Sequence, residues 1–317
     1  MSEKLWFQNV MALAPLPPPT PEGKVKRYMS LWPAWVPGSE LVGGKGRGSK
    51  ADPRAAYGGH VYTQAPLAAC RALEEEEPAG TVRQPKEPSK RLQADDFNLE
   101  DLESELGDVC FSCICTFKRP EEGRVSSQEV PPQERFGEIL KAKAPGDWPK
   151  APAVDVEEIK AMFPDASGHF PIVDMHKVDL TGWNEGKPVT ERRELLFYRL
   201  RGPLPADDPN QHVLVHAFES DRNGLLMVGN HIGLGWSLGT AASLTYAFVV
   251  HVNVDEAVMK DPSGAEDGWW IQEVSFPRAG QGRGALMCKM WSPSGVHVAT
   301  GYQDGIIRER KVEKEKL

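Results

Sequence analysis

Between positions 269 and 307 short apolar runs of strand length are interrupted by single polar residues and separated by two glycine-bearing turns. That pattern commits this part of the chain to antiparallel strands. Trp269, Ile271, Glu273 and Ser275 fall on one face of the first strand, and Trp270, Gln272, Val274 and Phe276 on the other. Ala279-Gly280-Gln281-Gly282-Arg283-Gly284 supplies the positive backbone angles of a tight or bulged turn. Ser294-Gly295 then separates strand 286–291 from strand 296–307 as a hairpin, and His297, Ala299, Gly301 and Gln303 alternate along the last strand with Val296, Val298, Thr300 and Tyr302. An earlier apolar run, GLGWSLGTAASLTYAFVVHVN, belongs to the same set. These strands carry Gln, Ser, Thr and His where a core needs none, so candidate chemistry concentrates here.

Upstream, the proline-rich stretch 16–21 is a connection, and 43–54 is a basic, glycine-rich loop. Behind Gly58 and Gly59, alanines and apolar residues recur at helical spacing up to Leu73, and Glu74 to Glu77 end the stripe. The path from 78 to 105 is rich in proline and charge and poor in strand formers, whereas 109–117 reads as a strand. A further polar, proline-rich stretch lies at 125–153. After it come a helix-like segment at 154–162, strands at 172–180 and 194–200, and a helix at 211–220 closed by Asp221.

A chain of 317 residues with 40% hydrophobic and 26% charged residues can bury one core or two. Its net charge of −8 argues against nucleic-acid binding, because the basic clusters at 45–50 and 308–316 are short. No run approaches the ~18 apolar residues of a membrane span, and the N-terminus lacks a secretory signal, which together predict an intracellular protein. The five cysteines fit that compartment. Cys110 and Cys113 form a single C-x-x-C without a second ligand pair, so buried reduced thiols are expected, with no metal and no cofactor. The terminal Glu315-Lys316-Leu317 looks like a peroxisomal address with a bulky acid in place of a small residue, which leaves cytoplasmic and peroxisomal locations open.

The order strand, long connection, strand, glycine-rich turn, strand, turn, strand in 231–308 resembles the C-terminal half of the type II acyl-CoA thioesterases. Gly58 to Ala65 is similar to that family's G-G-x-x-x-x-Q-A helix opening. The resemblance implies an α+β double hot-dog fold, in which each half is a long helix wrapped by an antiparallel sheet, with the first half truncated. The implied domains are 1–124 for the first hot-dog, 125–153 for the linker, 154–309 for the second hot-dog and 310–317 for a charged tail. It also implies hydrolysis of fatty acyl-CoA thioesters, acyl-CoA as the partner, and a homo-oligomer by the family's habit of pairing domains.

Members of that family hold the attacking water between an Asp, a Ser or Thr, and a Gln. Gln303 matches the Gln; the Asp of an S-L-D-H run falls on Thr245 of Ser243-Leu244-Thr245-Tyr246, and the third hydroxyl falls beside Ser275. Thr245 is neutral, so this alignment leaves no carboxylate base and implies slow hydrolysis. The helix ends at Gly58 and Gly59, or at Gln211, would polarise the thioester carbonyl. Two further readings follow from the missing carboxylate and the short first half: a catalytically impaired acyl-CoA-binding or dimerising protein, and a thioesterase acting on a carrier-bound acyl chain in secondary metabolism.

Overall fold

The computed structural model describes residues 6–18, 25–36, 56–75, 111–152, 154–155, 170–259 and 268–310. Its main element is a six-stranded antiparallel sheet in the order β3-β4-β6-β7-β8-β5. The strands are β3 (Val173–Lys177), β4 (Arg193–Leu200), β5 (Leu238–Val250), β6 (Trp270–Gly280), β7 (Arg283–Trp291) and β8 (His297–Glu309). The sheet curls around helix α3 (Pro209–Ser220), whose residues from Leu214 to Ser220 are all buried. A short helix, α4 (Gly224–His231), follows it. At the β6–β7 hairpin Gln281 and Gly282 both take positive φ, the geometry of a two-residue turn whose twist matches its strands.

At β6 both faces of the sheet are covered, which explains why this strand is apolar at odd and even positions alike. On the concave face Trp270, Val274 and Phe276 pack with Val215 and Phe218 of α3. On the convex face Trp269, Ile271 and Trp291 pack with Phe136 and Trp148. Those last two residues lie in the stretch expected to link two domains; that stretch is instead a cover for the sheet, tied down by a bidentate Arg135–Glu273 pair at 2.8 and 2.5 Å. Each buried aromatic of this kind contributes about 1.5–3 kcal/mol by leaving water.

The first half supplies helix α1 (Phe7–Val10), a two-stranded sheet of β1 (Leu13–Leu16) and β2 (Arg27–Ser30), and the long helix α2 (Gly58–Glu74). Phe7, Val10, Tyr57 and Leu67 enter the same core as α3, so the two halves share one interior. The expected strand at 109–117 does not form: residues 111–117 have no strand pairing, and Ile114 is 98% exposed. Among the described residues no strand lies beside it to bury the alternating apolar residues. The thiols depart from expectation in the same place: Cys70 and Cys288 are buried, but Cys113 is exposed and Cys115 half-buried. Most of the expected helix at 154–162 lies outside the described residues, as do Cys110 and the C-terminal tripeptide.

Contact between the helices is set by Gly59. A β-carbon there would come within 2.4 Å of the Phe218 carbonyl oxygen and 2.5 Å of the Tyr57 ring, so only glycine lets α2 meet the end of α3. Gly59→Ala is expected to lower stability by about 1–3 kcal/mol despite the better helix propensity of alanine, whereas Gly137→Ala, with open space around the position, is expected to be neutral or slightly stabilising. Urea unfolding of the two variants measures the difference, and equal midpoints would sink this account of the helix contact.

Candidate active site

Asp221 follows the last residue of α3 and is 8% exposed. One carboxylate oxygen, Oδ2, accepts the backbone N–H of Gly59 in the first turn of α2 at 2.8 Å. The other, Oδ1, accepts Gln303 Nε2 at 2.5 Å. The same amide nitrogen donates to Ser243 Oγ at 2.6 Å. A carboxylate, an amide and a hydroxyl from α3, β8 and β5 therefore converge, with the positive end of α2 behind the carboxylate. Burial pushes the Asp221 carboxyl up to about 7, opposed by the bonds from Gly59 and Gln303.

Gln303 is 2% exposed, and its Oε1 is buried without a hydrogen-bond partner among the described residues. That oxygen lies directly over Gly224, where a β-carbon would overlap it. Two tyrosines wall the cluster. Tyr62 of α2 stacks on Tyr246 of β5 with centroids 4.0 Å apart and planes 6° apart. Desolvation raises the Tyr62 phenol, while hydrogen bonding to Ser243 and Gln303 lowers it. The Tyr246 hydroxyl bonds Ser220 Oγ, and Ser220 also donates to the Ala217 carbonyl at 2.7 Å.

Of the residues singled out by sequence, the structure brings Gln303, Gly58 and Gly59 together and leaves the others away. Thr245 is exposed and lies opposite Asp304, the neighbour of Gln303. Residues directly opposite on paired strands share a face, so Thr245 points to the side away from the amide. A register shift between Ser243 and Thr245 is the cause: it puts Ser243 and Tyr246, three positions apart, both on the face of Gln303. Ser275 stands in one cross-strand row with Met287 and the exposed Tyr302, and its hydroxyl donates to the Met287 carbonyl at 3.3 Å. It too lies on the face opposite Gln303. Gln211 sits at the far end of α3, ten residues or ~15 Å from Asp221, with its amide on Asp208 at 2.5 Å.

Asp221 and Ser243 were the residues that sequence reasoning missed. Both lay in view: Asp221 as the residue that closes the helix, Ser243 as the first residue of the Ser-Leu-Thr-Tyr run. What hid them was the match to the family's S-L-D-H run, which put the carboxylate position on Thr245 and so passed over Ser243 beside it and Asp221 at the helix end.

Comparison with known proteins agrees with this architecture. Residues 144–307 match the family model described as the acyl-CoA thioesterase C-terminal domain. The chain is 24% identical to acyl-coenzyme A thioesterase 8 of Rattus norvegicus over 302 residues, covering 89% of this chain and 85% of the relative. It is also 24% identical to acyl-coenzyme A thioesterase 8 of Homo sapiens over 283 residues, covering 82% and 83%. Among solved structures, the acyl-CoA thioesterase II TesB2 from Mycobacterium marinum superposes with a TM-score of 0.50 at 22% identity, covering 81% of this chain and 91% of that one. The likeness to that enzyme shows the hot-dog fold. With more than half of its length matching the family model, over the helix and strands that carry Asp221, Ser243 and Gln303, the chain belongs to the acyl-CoA thioesterases.

Proposed function

We propose that this protein hydrolyses fatty acyl-CoA thioesters to a free fatty acid and CoA, with water activated by Asp221 and held by Gln303 and Ser243. The observation that carries the reading is the buried Asp221 carboxyl lifted to about 7 and hydrogen-bonded to Gln303. A base with that pKa is half ionised at neutral pH and strong enough to take a proton from water in the transition state. The water oxygen attacks the thioester carbonyl carbon as its proton passes to Asp221. The tetrahedral intermediate then collapses, the C–S bond breaks, and the departing CoA sulfur takes the proton. Ser243 Oγ and Gln303 orient the water, and the first-turn amide of Gly58 in α2 is the donor for the developing oxyanion. The carboxylate expected at position 245 is supplied from the end of α3 instead, so the reading of an impaired centre loses its motive.

The family expectation of a homo-oligomer gains support from β5. It is the edge of the sheet, 13 residues long, without a charge or a proline, and it exposes Leu244 and Val249 by 50% and 53%. Edges of that length are normally protected by lysine or proline. Antiparallel pairing of β5 with β5 of a second copy satisfies the backbone groups of both. No described helix is long and apolar enough to cross a membrane.

Thiol release from acyl-CoAs of graded chain length tests the activity. Asp221→Asn and Gln303→Ala are each expected to lower kcat by ~10²–10⁴, while Thr245→Ala and Ser275→Ala stay within a few-fold of the parent. Unchanged rates in Asp221→Asn would refute the assignment of the base.

The carboxylate form is the active one, so kcat/KM should rise with pH and level off above an apparent pKa near 7; in Asp221→Asn the residual rate should lose that step. A wild-type profile already flat from pH 5 to 8, roughly the range such a base would span, would contradict it.

Light scattering after size exclusion is expected to give a dimer, and Val249→Lys a monomer. A wild-type monomer at all concentrations would rule out the β5 pairing.

A further inference from the structure

The segment 111–117, without a strand partner among the described residues, touches α2. Phe111 packs on Tyr62 with ring centroids 5.8 Å apart. In an extended chain residues two apart point the same way, and here that places two sulfurs together: Cys113 Sγ and Cys115 Sγ are 3.5 Å apart. Cys113 is exposed and Cys115 half-buried. One thiol is thus open to a reagent and the second stands directly behind it. Behind both, in α2, lies the buried Cys70, near enough that a charge on Cys115 acts on it.

We propose that Cys113 and Cys115 form a thiol-modification site that exchanges with small disulfides such as oxidised glutathione and closes to a Cys113–Cys115 disulfide. In the first step Cys113 Sγ, as thiolate, attacks one sulfur of the reagent. A mixed disulfide forms on Cys113, the reagent's own S–S bond breaks, and one glutathione leaves as a thiol carrying the proton that Cys113 gave up. In the second step Cys115 Sγ attacks Cys113 Sγ and expels the second glutathione. The protein loses two electrons and two protons, and one molecule of disulfide is reduced to two thiols.

The backbone permits this ring but does not favour it strongly. Two residues of extended chain span ~6.6 Å, near the upper end of the Cα separations that a disulfide bridges, ~4.4–6.8 Å. A ring closed at that limit is easily reopened by thiols, which makes the modification reversible. Burial pushes the Cys115 thiol up to about 11, with the neighbouring Cys113 adding to it, so the exposed Cys113 is the attacking group and Cys115 the resolving one. The site is independent of thioester chemistry, yet it sits one ring contact from Tyr62 at the wall of the candidate active site.

The test is intact-mass spectrometry of the full chain after exposure to oxidised glutathione. Cys110→Ser, which removes the one neighbouring cysteine of the same peptide, is expected to lose about 2 Da, to carry no glutathione, and to regain the mass with dithiothreitol. Cys115→Ser should stop at a single glutathione adduct on Cys113, and Cys113→Ser should react much more slowly. A second readout needs no variant: brief alkylation of the reduced wild-type protein should label Cys113 first, Cys115 next, and leave Cys70 and Cys288 unlabelled until denaturant is added. Stable adducts on both thiols without ring closure, closure only when Cys110 is present, or labelling of Cys70 before Cys113 would each overturn the proposal.

Discussion

Everything at the functional end of this molecule depends on one carboxyl group being buried where two helices and two strands meet. Asp221 accepts the Gly59 amide on one oxygen and the Gln303 amide on the other. The first bond ties helix α2 of the first half to the second, and the second bond sets the orientation of Gln303. Burial of the carboxyl also has a cost that varies with pH. A group whose folded pKa is raised binds its proton more tightly in the native state than in the unfolded chain, so its contribution favours the fold below the ordinary carboxylate range and is lost as pH rises toward 7. The same displacement that fits Asp221 to the proposed role of base weakens the fold near neutral pH.

Glycine is what allows the approach. At Gly59 a side chain would strike the Phe218 carbonyl, and at Gly224 it would strike Gln303 Oε1. Neither position is chosen for a special backbone angle; each is chosen because a neighbouring polar atom must come closer than a β-carbon permits. The β5 irregularity acts in the same spirit. By taking up one extra residue between Ser243 and Thr245, it turns both Ser243 and Tyr246 toward Gln303 and sends Thr245 outward.

The first half is unequal to the second in a way that has consequences at the surface. Its helix α2 is complete and docks on α3, but the sheet that would wrap it is represented among the described residues by β1 and β2 alone. Among the described residues the 111–117 segment has no neighbouring strand, and β5 is an edge of the sheet without a charge along its length.

Much of the second half was legible in the sequence. Strand-length apolar runs and the glycine turns located β6, β7 and β8 to within a few residues at their ends, helical spacing located α2 and α3, and Gln303 stood out as a polar residue on a strand otherwise suited to a core. These signals are local, because side-chain direction in a strand or helix repeats over a few residues. The partners of Gln303 were not local. Asp221 lies 82 residues away and Ser243 lies 60, and whether they face the amide depends on a bulge and on where a helix ends against a curled sheet. In the same way, alternation at 109–117 recorded a capacity to form a strand, but pairing needs a second strand that only the assembled fold can supply. The chain by itself determined its elements and one of its candidate catalytic groups; the tertiary structure decided which residues share that group's face, because facing is a property of register and packing rather than of sequence spacing.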